Sequence, residues 1–239
     1  MFKDYIVVSQ DEFHKTFDQT QKELNSVIQK GEKNIFAAFG FADSIGHLYG
    51  RTEKYCEELA KFMEKMKQSI NLYLELNPDE NVIIASDHGM STVKSRVDLH
   101  LEEKFGKQST KSYIAYSDSC VMCLWSENDK LKSEIKDYLS KQTCGHLLTE
   151  EDRKYYQATD RKFGDFIFIL HDGIVFDQNW FGIAIKRSDK KEWGMHGFWP
   201  MRESVDQMGS ILLISKDKHL NSFYTYHQAY DLISKIMEE

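Results

Sequence analysis

The chain has 239 residues, 41% of them hydrophobic and 29% charged, the balance of a globular protein with a sizeable core. A formal net charge of −7 excludes a general nucleic-acid or anionic-membrane surface. No stretch reaches the roughly 20 apolar residues of a membrane span.

In chain order, Tyr5-Ile6-Val7-Val8 is a short apolar run. From Asp11 to Lys30, Phe13, Phe17, Leu24, Val27 and Ile28 fall near helical spacing and Gly31 closes the segment, which predicts an amphipathic helix. Asn34 to Phe41 predicts a strand. It breaks into Asp43-Ser44-Ile45-Gly46-His47-Leu48-Tyr49-Gly50, and on a helix Asp43 and His47, four residues apart, face one point.

Arg51 to Leu76 places Tyr55, Leu59, Phe62, Met63, Met66, Ile70 and Leu74 on one stripe of a long helix that packs against a sheet. Asn77-Pro78-Asp79 stops it. Val82-Ile83-Ile84-Ala85 predicts a strand buried on both faces, returning beside the Asn34 strand as a right-handed parallel crossover. Asp87 and His88 stand at its carboxyl end, where α/β sheets bind ligands.

Beyond it, His100 between two leucines reads as structural. Ser112 to Trp125 predicts one or two strands, with Cys120 and Cys123 as buried thiols. Glu127 to Gln142 predicts a helix with Leu131, Ile135 and Leu139 inward, and Thr149 before Glu150, Glu151 and Asp152 a capped helix start. Gly164 to Leu170 predicts a strand and Asp172-Gly173 a hairpin turn, with His171 a surface residue. Ile183 to Glu192 reads as a loop leading to Trp193-Gly194-Met195-His196-Gly197-Phe198-Trp199, where glycines on each side of the histidine allow unusual backbone angles. A strand at Ile211 to Ile214 and a closing helix at Tyr226 to Met237 complete the chain.

Three separate stretches thus supply two Asp and three His, the ligand chemistry of a zinc pair. Asp43-x-x-x-His47-x-x-Gly50, Ser86-Asp87-His88-Gly89-Met90 and Gly194-x-His196-Gly197, in that order, resemble the alkaline phosphatase superfamily in its type I phosphodiesterase and nucleotide pyrophosphatase branch. The resemblance runs from about Asn34 to about Ser215. It implies an α/β fold, an α/β/α sandwich with a mostly parallel sheet and a small inserted α+β subdomain. Residues 1–110 would be core with two metal motifs, 111–185 the insertion, and 186–239 a return to the core with the third motif.

The same resemblance implies two divalent metal ions, zinc by preference, with Asp43, His47 and His196 holding one while Asp87 and His88 help hold the other. It implies hydrolysis of a small phosphodiester or related phosphate ester. The family's nucleophile and its remaining metal-binding aspartate lie on an amino-terminal half that nothing before Asp43 resembles. The expectation is therefore the carboxyl-terminal part of a larger enzyme, with the missing half as a partner and an extracytoplasmic location implied by the resemblance alone. The alternatives are a noncatalytic metal-binding or interaction domain, or a phosphomonoesterase, phosphonate hydrolase or mutase of the same superfamily.

Overall fold

The computed structural model describes residues 5–10, 15–177, 193–199, 210–214, 219–223 and 234. The chain divides into two units, one made of Met1–Met90 with Met208–Glu239 and the other of Ser91–Gln207.

In the first unit β1 (Ile6–Ser9) lies parallel to β2 (Ile35–Ala38), with Val8 opposite Ala37. The chain between them forms α1 (Phe17–Gln29), which starts where the Thr16 hydroxyl accepts the Gln19 amide and the Gln19 side chain accepts the Thr16 amide. Its inward residues Leu24 and Ile28 are buried with Val8, as the helical spacing predicts. Next come α2 (Phe41–Tyr49) and α3 (Glu53–Leu76). Phe17, Phe39, Phe41 and Phe62 form a ring cluster with centroids 5.0 to 6.1 Å apart, which fastens the start of α2 to α1 and α3. The expected α3 stripe is half-buried rather than buried, and Met63 is 44% exposed. The fully buried α3 residue is Ser69, whose hydroxyl accepts from the Gln21 amide at 3.3 Å. Asn77 ends α3, its side-chain amide donating to the Tyr73 carbonyl.

β3 (Val82–Ala85) follows, half-buried along Val82 to Ile84 and exposed at Ala85, so the expectation of burial on both faces is corrected. In the second unit β4 (Ser91–Thr92) and β5 (Ser95–Val97) lead to α4 (Leu101–Phe105). His100 stands at the N-cap position of α4 in a left-handed conformation, φ 49°, with its ring 3.2 Å from Glu103. β6 (Tyr113–Asp118) and β7 (Val121–Ser126) form a hairpin in which Tyr113, Ala115, Met122 and Leu124 alternate inward. α5 (Asp129–Ser140) buries Ile135 and Leu139, β8 (Gly145–Leu147) and α6 (Glu150–Tyr155) come next, and β9 (Phe166–Leu170) completes an antiparallel sheet of order β6-β7-β9-β8.

The hairpin expected at Asp172-Gly173 does not form. Gly173, at φ 79°, turns β10 (Ile174–Phe176) away from β9 to lie parallel to β5, because β9 already has β7 and β8 on its two edges. β11 (Gly194–Met195) pairs antiparallel with β4.

The chain returns to the first unit with β12 (Ser210–Ile214) and β13 (His219–Phe223), in the antiparallel order β13-β12-β3. The parallel crossover is therefore β1-α1-β2 rather than a pairing of β2 with β3 across α3, and the ladder partner of β3 is β12. Apolar runs mark both as strands but do not choose their neighbours. The Ile183 to Glu192 loop, Phe13 and all but Ser234 of the closing helix lie outside the described residues. Among the described residues no helix is long and apolar enough to cross a membrane.

Candidate metal centre

In the first unit α2 presents Asp43 and His47 one turn apart, with His47 Nε2 3.4 Å from Asp43 Oδ1. The start of α2 is set by the phenylalanine cluster on either side of Gly40 and by the Ser44 hydroxyl, which donates to the Gly40 carbonyl at 3.0 Å. It ends at Gly50, whose φ of 61° belongs to glycine and whose amide donates to the Gly46 carbonyl. Both donor side chains are partly exposed, His47 at 23% and Asp43 at 34%, although Asp43 Oδ1, the oxygen that faces the imidazole, is itself buried.

Asp87 and His88 follow β3 in the same unit. Asp87 Oδ1 accepts the His88 amide at 3.0 Å, which fixes the turn, and His88 Nδ1 lies 2.9 Å from the Gly89 carbonyl. A carbonyl only accepts, so Nδ1 carries a proton, and Nε2 is the ring nitrogen left to offer a lone pair to a cation. That nitrogen is 3.4 Å from Asp87 Oδ2. Each Asp–His pair therefore offers one carboxylate oxygen and one imidazole nitrogen at the same separation, the donor chemistry of a zinc-type cation. A backbone carbonyl holding the other ring nitrogen is how ligating histidines are commonly oriented.

The two pairs are joined by a contact that the motif letters do not announce. Met90 is buried, and a Cβ on Gly46 would lie 2.7 Å from its Cε and 3.1 Å from its Cγ. Gly46 thus makes room on α2, between Asp43 and His47, for the methionine that ends the Asp87-His88 turn. A glycine inside a short helix costs stability, and that cost was the available signal of a close approach.

In the second unit His196 follows β11, whose Met195 stands opposite Ser91, the residue three past His88. Gly197 takes φ 87°, the unusual angle expected beside the histidine, whereas the positive-φ glycines do not include Gly194. The Cys120 thiol donates to the His196 carbonyl at 3.3 Å, and Trp199 donates its amide to the Leu170 carbonyl at 2.9 Å. The Trp199 ring stacks on His146 at 4.0 Å, and His146 Nε2 is 2.9 Å from Asp152 Oδ2. Burial pushes the Cys120 thiol up to about 12, so it stays a protonated donor rather than a reactive thiolate. All four cysteines are free. Cys120 sits in the β6–β7 turn rather than on a strand.

Type I phosphodiesterase / nucleotide pyrophosphatase is the family that matches this chain, over residues 7–199. No curated protein matches it. The structure is similar to human ectonucleotide pyrophosphatase/phosphodiesterase 5, at 17% identity and a TM-score of 0.60, over 84% of this chain and 52% of that one. The murine protein of the same name, an inactive variant in complex with AMP, matches at 16% identity and a TM-score of 0.58 with the same coverage. The chain spans about half the length of these solved relatives. With the family matched over most of its length and its fold shared with these proteins, this chain belongs to the type I phosphodiesterase/nucleotide pyrophosphatase family of the alkaline phosphatase superfamily.

Proposed function

We propose that this chain supplies the metal-holding part of a phosphoester hydrolase that works with two divalent cations, zinc by the chemistry of the donors. By the family resemblance, Asp43, His47 and His196 would form one donor set, a carboxylate and two imidazoles of the kind that holds such an ion. Asp87 and His88 contribute to the second. The observation that carries this reading is the seating of Met90 on Gly46, which puts the Asp87-His88 turn against the helix that bears Asp43 and His47. When bound, such cations neutralise phosphate charge and polarise the ester for displacement. The chain's own part is to hold the donors ready. α2 fixes Asp43 and His47 on one face, and the Gly89 carbonyl holds His88 in the tautomer that donates through Nε2. The substrate is a small phosphodiester or related phosphate ester, and the AMP complex of the murine relative makes a nucleotide ester the first one to assay. No residue of this chain is assigned as nucleophile.

Zinc titration followed by thermal melting tests the metal reading. At 100 times its dissociation constant a ligand adds about 2.7 kcal/mol of stability, and Asp43→Ala or His196→Ala should remove much of that gain. Equal melting with zinc and with chelator would overturn it. On p-nitrophenyl phosphodiesters the 239-residue chain alone is expected to show negligible turnover. Robust turnover abolished by Asp87→Ala would place the nucleophile, or a directly attacking water, within this chain.

A further inference from the structure

We propose that Cys120 is a positioning residue for His196, its thiol holding the peptide that follows the imidazole-bearing Cα. This rests on the reading of His196 as a metal ligand. The span from His196 to Phe198 lies between two backbone anchors. Before it, Met195 is paired with Ser91 on β4, and after it the Trp199 amide is bonded to the Leu170 carbonyl. Within that span the Cys120 Sγ reaches the His196 carbonyl at 3.3 Å, a normal length for a sulfur donor.

The thiol is itself mounted on a rigid point. Cys120 is 2% exposed, its carbonyl accepts the Leu170 amide at 2.8 Å, and the carbonyl of Ser119 beside it accepts the Phe176 amide at 2.7 Å. The β6–β7 turn is therefore where β9 and β10 are tied, and the His196 peptide hangs from that knot. A Cβ on Gly197 would stand 3.5 Å from Cys120 Sγ, ordinary contact, so it is the φ of 87° and not lack of space that calls for glycine there. Glycine leaves the peptide free to rotate, and a rotating 196–197 peptide swings the His196 Cα–Cβ bond. The thiol bond supplies the restraint that glycine removes.

The experiment compares zinc binding by calorimetry in the full chain for Cys120→Ala and Cys120→Ser. All proteins carry Cys56→Ser, because Cys56 is exposed and would bind zinc adventitiously, and His196→Ala sets the baseline. Loss of a group that orients a ligating histidine typically weakens metal binding by about 10- to 100-fold, and the expected loss for Cys120→Ala is about 10-fold. Serine keeps a donor at the same position, so Cys120→Ser is expected to stay within about threefold of its parent. In the metal-free proteins, amide exchange of Met195 to Phe198 should quicken in the alanine variant and not in the serine one. Unchanged zinc affinity in Cys120→Ala overturns the proposal. So do equal losses in both variants that track their metal-free melting temperatures, since that is the signature of packing alone. Absence of zinc binding by the parent protein overturns the metal reading itself, and the role of Cys120 with it.

Discussion

The two units are held by different means. In the second, Tyr113, Leu124, Ile135, Leu139, Phe168 and Leu170 are all at or below 1% exposure and close a sheet-and-helix core. In the first, the buried apolar cluster among the described residues is Val8, Leu24 and Ile28, and the phenylalanines that fasten α2 are half-buried apart from Phe17. One unit gains its order from dense packing; the other places two Asp–His pairs with one glycine, one methionine and a ring cluster. A substitution in the second unit's core should therefore register as lost stability. One around α2 should register first in the donors.

The largest effect is expected from Phe168→Ala, which deletes a ring at 1% exposure and should cost about 3–5 kcal/mol in urea unfolding of the full chain. Phe62→Ala, which removes a half-buried ring of the α2 cluster, should cost about half that. Equal losses would erase the contrast between a dense core and a light scaffold.

Gly46→Val comes next. Its branched side chain meets Met90 Cγ as well as the flexible Cε, so overpacking should cost about 1–3 kcal/mol. Zinc affinity should fall further than stability does, since the displaced methionine carries the Asp87-His88 turn with it. Gly46→Ala should be milder. The Met90 tip can swing aside, and alanine returns about 1 kcal/mol of helix propensity. If Gly46→Val melts normally and binds zinc normally, the contact between the two pairs has no energetic content.

The Asp43–His47 helix was legible in the letters because a four-residue spacing has one meaning on a helix, and the structure sets the two side chains 3.4 Å apart. The Thr149 cap was legible for the same reason: its partners are three residues away. Strand neighbours were not. β3 was expected beside β2 and pairs with β12, more than 120 residues later in the chain, and β10 leaves β9 for β5. Local sequence encodes strand character, whereas pairing depends on which edges are already taken. Cys120 is a related case. Its neighbours in sequence mark it as a buried thiol and no more, because its partner is a backbone carbonyl 76 residues away.

The smallest effect sharpens the comparison most finely, because each unit has a capping box of the same design with a different third residue. At α1 the side chain that returns to the cap is Gln19, which does not titrate; at α6 it is Asp152. Burial, the largest single influence on the Asp152 carboxyl, would raise its pKa, but the hydrogen bonds from His146 and from the amide and hydroxyl of Thr149 together outweigh it and leave it low. A carboxyl depressed in the folded state contributes stability that is present above its unfolded pKa of about 3.9 and is lost as pH falls through the folded value. Removing either cap, by Thr16→Ala or Thr149→Ala, should cost about 1 kcal/mol at neutral pH. In unfolding series from pH 7 down to about pH 2.5, below the usual carboxylate range, the cost of Thr149→Ala should shrink while that of Thr16→Ala stays level. Parallel pH profiles would mean that the Asp152 charge adds nothing to the cap, and the second unit's box would then work as the first one does.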